Sequence, residues 1–318
     1  MRAPRFISDS PAQTSADEQA AARAALLAPD ASASPKFFYD SLGSKLFEAI
    51  TELPEYYPTR TEAAIVEAHG REVARCVGTG GTLVDLGAGN CAKAVRLFPL
   101  LEPTRYVAVD IAVDFLREAL QQVQRQHPAL DVIGIGTDFS RALSLPPELL
   151  HDRPVFFYPG SSIGNFAPDE ALALLSSIRR QAAGGGLLIG IDLVKPAQLL
   201  EQAYDDALGV TAAFNLNLLR HLNRIIGSDF DARQWRHVAL FDADRARVEM
   251  HLEARLPLTV RWPGGERRFR AGERLHTENS YKYTLDRFGA LLERAGFGPS
   301  THWSDPDRAF AVFWAPST

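Results

Sequence analysis

Residues 81–101 read G-T-L-V-D-L-G-A-G-N-C-A-K-A-V-R-L-F-P-L-L, and this stretch decides the fold. T-L-V-D-L (82–86) is a short apolar run of strand length with glycines directly behind it. A-K-A-V-R-L-F-P-L-L (92–101) resumes as a helix that Pro99 is expected to end. Gly87 and Gly89 allow a tight backbone turn and close approach of a ligand. The helix that follows would offer its N-terminus to hydrogen-bond acceptors.

The same alternation continues outward. Y-V-A-V-D-I-A (106–112), D-V-I-G-I-G-T-D-F (131–139), P-V-F-F-Y (154–158) and L-L-I-G-I-D-L-V (187–194) read as buried strands. Between them, F-L-R-E-A-L-Q-Q-V-Q-R-Q-H-P (115–128) and P-D-E-A-L-A-L-L-S-S-I-R-R-Q (168–181) read as amphipathic helices. Strands alternating with helices of this length predict an α/β fold with a doubly wound, mostly parallel sheet. Upstream, Ile65, Val66, His69, Val73 and Cys76 or Val77 share one helix face before Gly78, Gly80 and Gly81 stop it. After Pro196 the pattern breaks: 197–228 is helical, 229–282 is mixed and strand-like, and Pro263–Gly265 signals a hairpin. Y-T-L-D-R-F-G-A-L-L-E-R-A-G-F (283–297) and A-F-A-V-F-W-A (309–315) then complete the α/β pattern with a helix and a strand. The reading is a flexible N-terminus over 1–14, one domain formed by 61–195 and 283–318, and a smaller inserted domain formed by 15–60 and 196–282.

Composition narrows the function. The 318 residues carry 34 Lys+Arg against 39 Asp+Glu, a net charge of −5, with 46% hydrophobic and 23% charged residues. That excludes a disordered or fibrous chain, and no basic stripe marks a nucleic-acid binder. Two cysteines, Cys76 and Cys91, make no disulfide framework, and no metal-ligand spacing occurs, so no metal is expected. No apolar run approaches the span of a bilayer, and the first residues lack a secretory core. The expectation is a cytoplasmic monomer acting on a small molecule, with no nucleic-acid or membrane partner.

Asp110 closes the second strand 21 residues beyond Gly89, where an acidic residue accepts from ribose hydroxyls. The loop G-A-G-N-C-A also satisfies a loose dinucleotide pattern, so an NAD-dependent oxidoreductase competes. Two features favour S-adenosylmethionine. Asp85 sits just before the glycines, where it would repel a pyrophosphate. Asp138 and Phe139 suit an adenine, one accepting from its amine and the other packing on the ring; Asp138 is otherwise a helix cap. Lys93 is an ordinary surface residue or reaches a carboxylate on the cofactor.

Y-D-S-L-G-S-K-L-F-E-A-I-T-E-L-P-E-Y-Y-P-T-R-T-E (39–62), D-L-G-A-G-N (85–90), Y-P-G-S-S-I-G-N-F (158–166), A-Y-D-D (203–206), T-A-A-F-N (211–215) and T-E-N-S (277–280) stand in collinear order. Over about residues 36–315 the chain resembles the L-histidine Nα-methyltransferases of ergothioneine biosynthesis. The resemblance implies a class I S-adenosylmethionine-dependent methyltransferase domain with a smaller substrate domain, and trimethylation of the histidine α-amine to hercynine. It implies a cofactor site at Gly87, Lys93, Asp110, Asp138 and Phe139, beside the Asp85 and Gly89 already noted. It implies a substrate site at Tyr39, Phe47, Tyr56, Gly160, Asn165, Tyr204, Met250, Glu278 and Ser280. Tyr56, rather than its neighbour Tyr57, takes the orienting role at the amine; Asn165 and Tyr204 donate to the carboxylate; Glu278 pairs with the imidazole N–H, with Tyr39 on the other side of the ring. Asn90-Cys91 departs from the small or hydroxyl residues expected after the glycines. His221, His237 and His251 are expected as surface or satisfied polar residues. Methylation of another amino acid such as tryptophan, and a silent binding protein, remain the competing readings within the fold.

Overall fold

A computed structural model of the chain describes residues 3–8, 16–139, 143–150 and 152–317. In chain order the strands are β1 (Arg5–Ser8), β2 (Thr82–Leu86), β3 (Arg105–Asp110), β4 (Asp131–Gly136), β5 (Val155–Tyr158), β6 (Gly186–Asp192), β7 (Trp235–Asp242), β8 (Arg247–Ala254), β9 (Leu258–Trp262), β10 (Gly265–Phe269), β11 (Arg274–Tyr281), β12 (Thr301–Ser304) and β13 (Phe310–Pro316). The helices are α1 (Ala16–Leu27), α2 (Ser41–Thr51), α3 (Tyr57–Val77), α4 (Ala92–Val95), α5 (Phe98–Leu101), α6 (Val113–Gln126), α7 (Pro168–Gln181), α8 (Ala197–Tyr204), α9 (Val210–Ile226) and α10 (Leu285–Arg294). They fall into two compact units. The first holds Met1–Asp9, Pro58–Val194 and Tyr281–Thr318; the second holds Ser10–Tyr57 and Lys195–Ser280.

The first unit is an eight-stranded sheet in the order β1-β4-β3-β2-β5-β6-β13-β12. The strands β1 to β6 run parallel, and β13 and β12 pair antiparallel at the far edge. The five residues of β2 are all buried, as expected of a strand covered on both faces. Side chains such as Val84, Val107, Ile133 and Phe156 are fully buried on one face, and Leu83, Tyr106, Leu188 and Phe310 on the other. Each fully buried large apolar side chain stabilises the fold by about 1.5–3 kcal/mol. Strand order reverses at β2, which lies between β3 and β5, so the carboxyl ends of these strands open a crevice there.

Two expectations change, and one open alternative is decided. The N-terminus, expected as flexible, contributes β1, paired in register from Arg5 on Ile133 to Ser8 on Gly136. Phe6 and Ile7 pack against the two opposite core layers, and Arg5 pairs with Asp131 at 3.0 Å. Two alternating residues are too few to show periodicity, and residues 9–15 lie outside those described. The helix expected to stop at Pro99 is two single turns, α4 and α5, with Pro99 in the first turn of the second. On α3 it is Val77 that is buried, while Cys76 is exposed.

The second unit combines α1, α2, α8 and α9 with the sheet β11-β8-β7 and the hairpin β9-β10. The hairpin turns at Gly264, whose φ of +86° requires glycine. The helical stretch 197–228 is broken after Tyr204. Asp206 restarts it by accepting from the N–H groups of Val210 and Thr211 at 2.9 and 2.7 Å, and Gly227 at φ +71° ends it. Phe38 stacks on Phe214 with centroids 4.5 Å apart, tying the segment before α2 to α9.

Candidate active site

In the first unit the site grows from the end of β2. Gly87 (φ +69°) and Gly89 (φ +52°) adopt the left-handed turn, and a Cβ at either would meet only open space. The loop amides are committed: Gly87 and Ala88 donate to the Val109 carbonyl at 2.9 and 3.2 Å, and Gly89 donates to Asp110 Oδ2 at 2.8 Å. A pyrophosphate needs free amides, so the dinucleotide reading loses its cradle. The expected helix N-terminus is also lacking, because α4 spans a single turn. Cys91 enters it at φ +63°, fully buried.

Asp110 accepts from Gly89 and Ala112, each at 2.8 Å. Two bonds leave further acceptor capacity on a carboxylate. Burial raises its pKa, against the lowering effect of these amides. Asp85 is 1% exposed, and Tyr106 donates to its Oδ2 at 2.7 Å. Its Oδ1 is buried with no hydrogen-bond partner among the described residues. Desolvation pushes the carboxyl up to about 7, with Asp110 and Glu62 adding to the rise and Tyr106 and Lys93 opposing it. Asp85 Oδ1 is thus a buried acceptor at the end of β2 that no described group satisfies.

Lys93 is neither free on the surface nor directed to the glycine loop. Its Nζ lies 2.8 Å from Glu62 Oε2, and Glu62 Oε1 accepts from the Gly160 N–H at 2.9 Å. Sequence reasoning passed over Glu62, although it closes the quoted L-P-E-Y-Y-P-T-R-T-E string. Gly160 (φ +74°) and Ser161 (φ +60°) turn the chain after β5 into the single helical turn Ser162–Asn165. The Asp192 N–H donates to Ser161 Oγ at 2.9 Å, and Asp192 pairs with Lys282 at 2.8 Å in a fully buried ion pair. Asn165 is half-buried beyond this braced turn. Asp138 and Phe139 follow β4, with the Phe139 ring edge-on to Tyr158 at 5.9 Å.

In the second unit four expected residues form an aromatic row. Tyr39 meets Phe47 at 5.9 Å, Phe47 meets Tyr56 at 6.2 Å, and Tyr56 meets Tyr204 at 6.4 Å, all edge-on. Phe214, unassigned by the sequence, packs on both Tyr39 and Phe47. Tyr204 donates to Ser280 Oγ at 2.7 Å. Glu278, 8% exposed, shares β11 with Ser280 two residues away and hence one strand face. Met250 is buried on the neighbouring β8. The adjacent tyrosines divide: Tyr56 joins the row, while the Tyr57 hydroxyl accepts from Lys195 Nζ at 2.7 Å.

His221 and His237 are half-buried and hydrogen-bonded, as satisfied polar residues, and His251 is buried. His237 lies 2.7 Å from the Tyr204 carbonyl and 2.8 Å from Asn215 Nδ2, an arrangement that fixes Nε2–H as donor and Nδ1 as acceptor. Burial lowers its pKa, keeping the ring neutral. His221 meets the Phe37 carbonyl at 2.7 Å, and His251 meets Glu249 at 2.8 Å but has a buried Nδ1 without a partner among the described residues. No group of three His, Cys, Asp or Glu among the described residues is arranged to hold a metal ion, and no described helix is long and apolar enough to cross a membrane.

A doubly wound sheet with carboxylates at the ends of adjacent strands and a glycine turn places the chain among the α/β proteins that take ligands at the carboxyl ends of their strands. The profile of the family described as "Histidine-specific methyltransferase, SAM-dependent" matches residues 18–317. The chain is 38% identical over 297 residues to the histidine N-alpha-methyltransferase of Mycolicibacterium smegmatis, covering 91% of this chain and 92% of that one. It is 38% identical over 294 residues to the protein of the same name from Mycobacterium tuberculosis, covering 87% and 88%. It is 30% identical over 279 residues to ergothioneine biosynthesis protein 1 of Neurospora crassa, covering 84% of this chain and 31% of that one. The chain belongs to the histidine-specific, S-adenosylmethionine-dependent methyltransferase family.

Proposed function

We propose that this enzyme transfers three methyl groups from S-adenosylmethionine to the α-amine of L-histidine, giving hercynine, the first step of ergothioneine biosynthesis. The observation that carries the choice of histidine is Glu278, a buried carboxylate beside the Ser280–Tyr204 hydrogen bond. A carboxylate accepts from an imidazole N–H, and a site built for that bond discriminates against side chains lacking it.

The cofactor residues fit the group they are read for. Asp85 Oδ1 supplies an anionic acceptor for its ammonium, Asp110 accepts from the ribose hydroxyls, and Lys93 meets its carboxylate. Asp138 and Phe139 take the adenine, and Gly87 and Gly89 leave the approach open. When bound, S-adenosylmethionine supplies an electrophilic methyl group on a sulfonium. Transfer to the amine lone pair would leave the bonding pair on sulfur, so the part of these residues would be to align the amine with that methyl, which supplies much of the rate.

One proton must leave the nitrogen before each of the three transfers. The Tyr56 hydroxyl accepts it in a hydrogen bond and passes it to water. The faces of Phe47 and Tyr56 stabilise the methylated ammonium by about 0.5–2 kcal/mol of cation–π attraction. Tyr39 flanks the imidazole, Met250 packs beneath it and Tyr204 serves the carboxylate; Asn165 and Gly160 are assigned to the substrate by their place in the P-G-S-S-I-G-N-F string. Tyr204 can donate to substrate when Ser280 becomes the donor within their pair. The net charge of −5 supports action without a nucleic-acid partner, and the enzyme is taken as a cytoplasmic monomer acting on the free amino acid.

The test is mass spectrometry of the protein with S-adenosylmethionine and each of the twenty amino acids. Histidine alone gaining three methyl groups is the expected result. Methylation of tryptophan instead would keep the cofactor and overturn the Glu278 assignment. No methylation with cofactor still bound would mark a silent binder.

A further inference from the structure

Glu62 is a buried acid with no part in the chemistry above. It lies on α3, is 4% exposed, and its two oxygens face different elements. Oε2 takes the Lys93 ammonium from α4 at 2.8 Å, and Oε1 takes the Gly160 N–H beyond β5 at 2.9 Å. The surroundings are shaped for this carboxylate. A Cβ at Gly190, on β6, would collide with Glu62 Oε1, and a Cβ at Gly160 would lie 2.7 Å from Lys93 Nζ. Two glycines on separate elements therefore make room for one three-part contact.

We propose that Glu62 is a positioning residue that clamps the cofactor lysine, Lys93, to the turn that carries Gly160 and Asn165. The proposal rests on the reading of Lys93 as the group that meets the cofactor carboxylate. A lysine is a flexible point charge, so aiming it costs rotamer freedom unless a partner holds it. Glu62 removes that freedom before the cofactor arrives, which is preorganisation in the ordinary sense. The bond to Gly160 gives the same carboxylate a second effect. It holds the first residue of a left-handed pair, and the order of that turn is passed to Asn165 five residues on.

The chemistry separates the two effects. In Glu62→Gln the amide oxygen still accepts from Gly160, but the nitrogen faces Lys93 and the charge is gone. In Glu62→Ala both contacts vanish. The experiment is calorimetric titration of S-adenosylhomocysteine, and then of histidine, into the full-length wild type, Glu62→Gln, Glu62→Ala, Lys93→Met and the Glu62→Gln/Lys93→Met double variant. Thermal denaturation confirms folding, and the Gln variant, which keeps volume and the Gly160 bond, serves if the Ala variant does not fold.

Lys93→Met is expected to weaken S-adenosylhomocysteine about 30-fold and Glu62→Gln about tenfold, with the double variant no weaker than Lys93→Met alone, because residues acting as one unit are not additive. Histidine affinity is expected to fall in Glu62→Ala and to hold in Glu62→Gln. Additive losses in the double variant, or wild-type binding in Glu62→Gln, would overturn the clamp. Unchanged binding in Lys93→Met would instead overturn the reading of Lys93 as the cofactor lysine, and a loss seen only in Glu62→Gln would then place Glu62 outside any action through Lys93.

Discussion

The two units build their proposed binding residues by different means. At the end of β2 the first unit uses the backbone. Three successive loop amides close onto the end of β3, two glycines take left-handed φ values, and carboxylates are buried at strand ends. The second unit uses side chains: four aromatic rings spaced 5.9–6.4 Å apart and the Tyr204–Ser280 hydrogen bond. Backbone geometry admits few substitutions, because each amide partner and each φ is set by the chain itself. A row of side chains can be exchanged one ring at a time. The first construction tolerates little change; the second can be retuned one side chain at a time.

The sharpest way to break this contrast is at Glu278. Glu278→Ala is expected to lower kcat/KM for histidine by about 10- to 150-fold, the range of about 1.5–3 kcal/mol for losing a hydrogen bond to a charged group. Cofactor affinity should stay within about twofold, since the residues are independent. Methyl incorporation from tryptophan should rise relative to histidine. Unchanged histidine kinetics would remove the side-chain basis of selectivity.

Asp85→Asn tests the backbone-built side and is expected to weaken cofactor binding by about ten- to 100-fold by removing a buried counter-charge. The same change should stabilise the unliganded protein. The folded Asp85 carboxyl titrates near 7, above its ordinary 3.8. Its favourable contribution is therefore complete below about pH 4 and lost as pH rises through about 7. Above that pH the wild type carries a buried anion that the Asn variant lacks, so the variant's Tm should exceed wild type by about 2–5 °C. Cofactor binding by the wild type should tighten as pH rises through about 7, because a cationic ligand favours the ionised carboxylate. A flat calorimetric pH profile would show that Asp85 does not face the cofactor.

Periodicity and glycine punctuation made the doubly wound sheet legible, because β2 to β6 are buried runs closed by turn residues. β1 was not, since four residues at a sheet edge carry no repeat and are placed by pairing with β4. Aromatic candidates such as Tyr39 and Tyr204 were legible only through the resemblance. Nothing local distinguishes them from core rings, and the meeting of Tyr204 with Tyr56, 148 positions away, is a property of the fold. Glu62 was hidden for a related reason: its partners come from 31 and 98 residues away. A glycine inside β6 was the available signal that another group needed its space.

Tyr204→Phe asks whether the polar link in the aromatic row matters. The ring contacts survive, and Ser280 loses its partner hydroxyl. The KM for histidine is expected to rise about tenfold with a smaller change in kcat, the pattern for losing a ground-state hydrogen bond of about 1.4 kcal/mol. A fall in kcat at constant KM would move Tyr204 from binding to chemistry.

The smallest effect is expected at Phe47, and it carries the most information about the row. Phe47→Leu keeps an apolar side chain between Tyr39 and Tyr56 and removes the π face. If the ring only packs, all three methyl transfers should slow alike. If it stabilises the growing ammonium, the loss concentrates in the late steps, where the positive charge is no longer hydrated through N–H bonds. The expected result is a two- to fivefold slower third transfer, about 0.5–1 kcal/mol, with the first transfer near wild type. Dimethylhistidine should then accumulate in the mass spectrum. A uniform slowing would reduce Phe47 to a spacer and leave Tyr56 as the one ring in the row that acts on the amine.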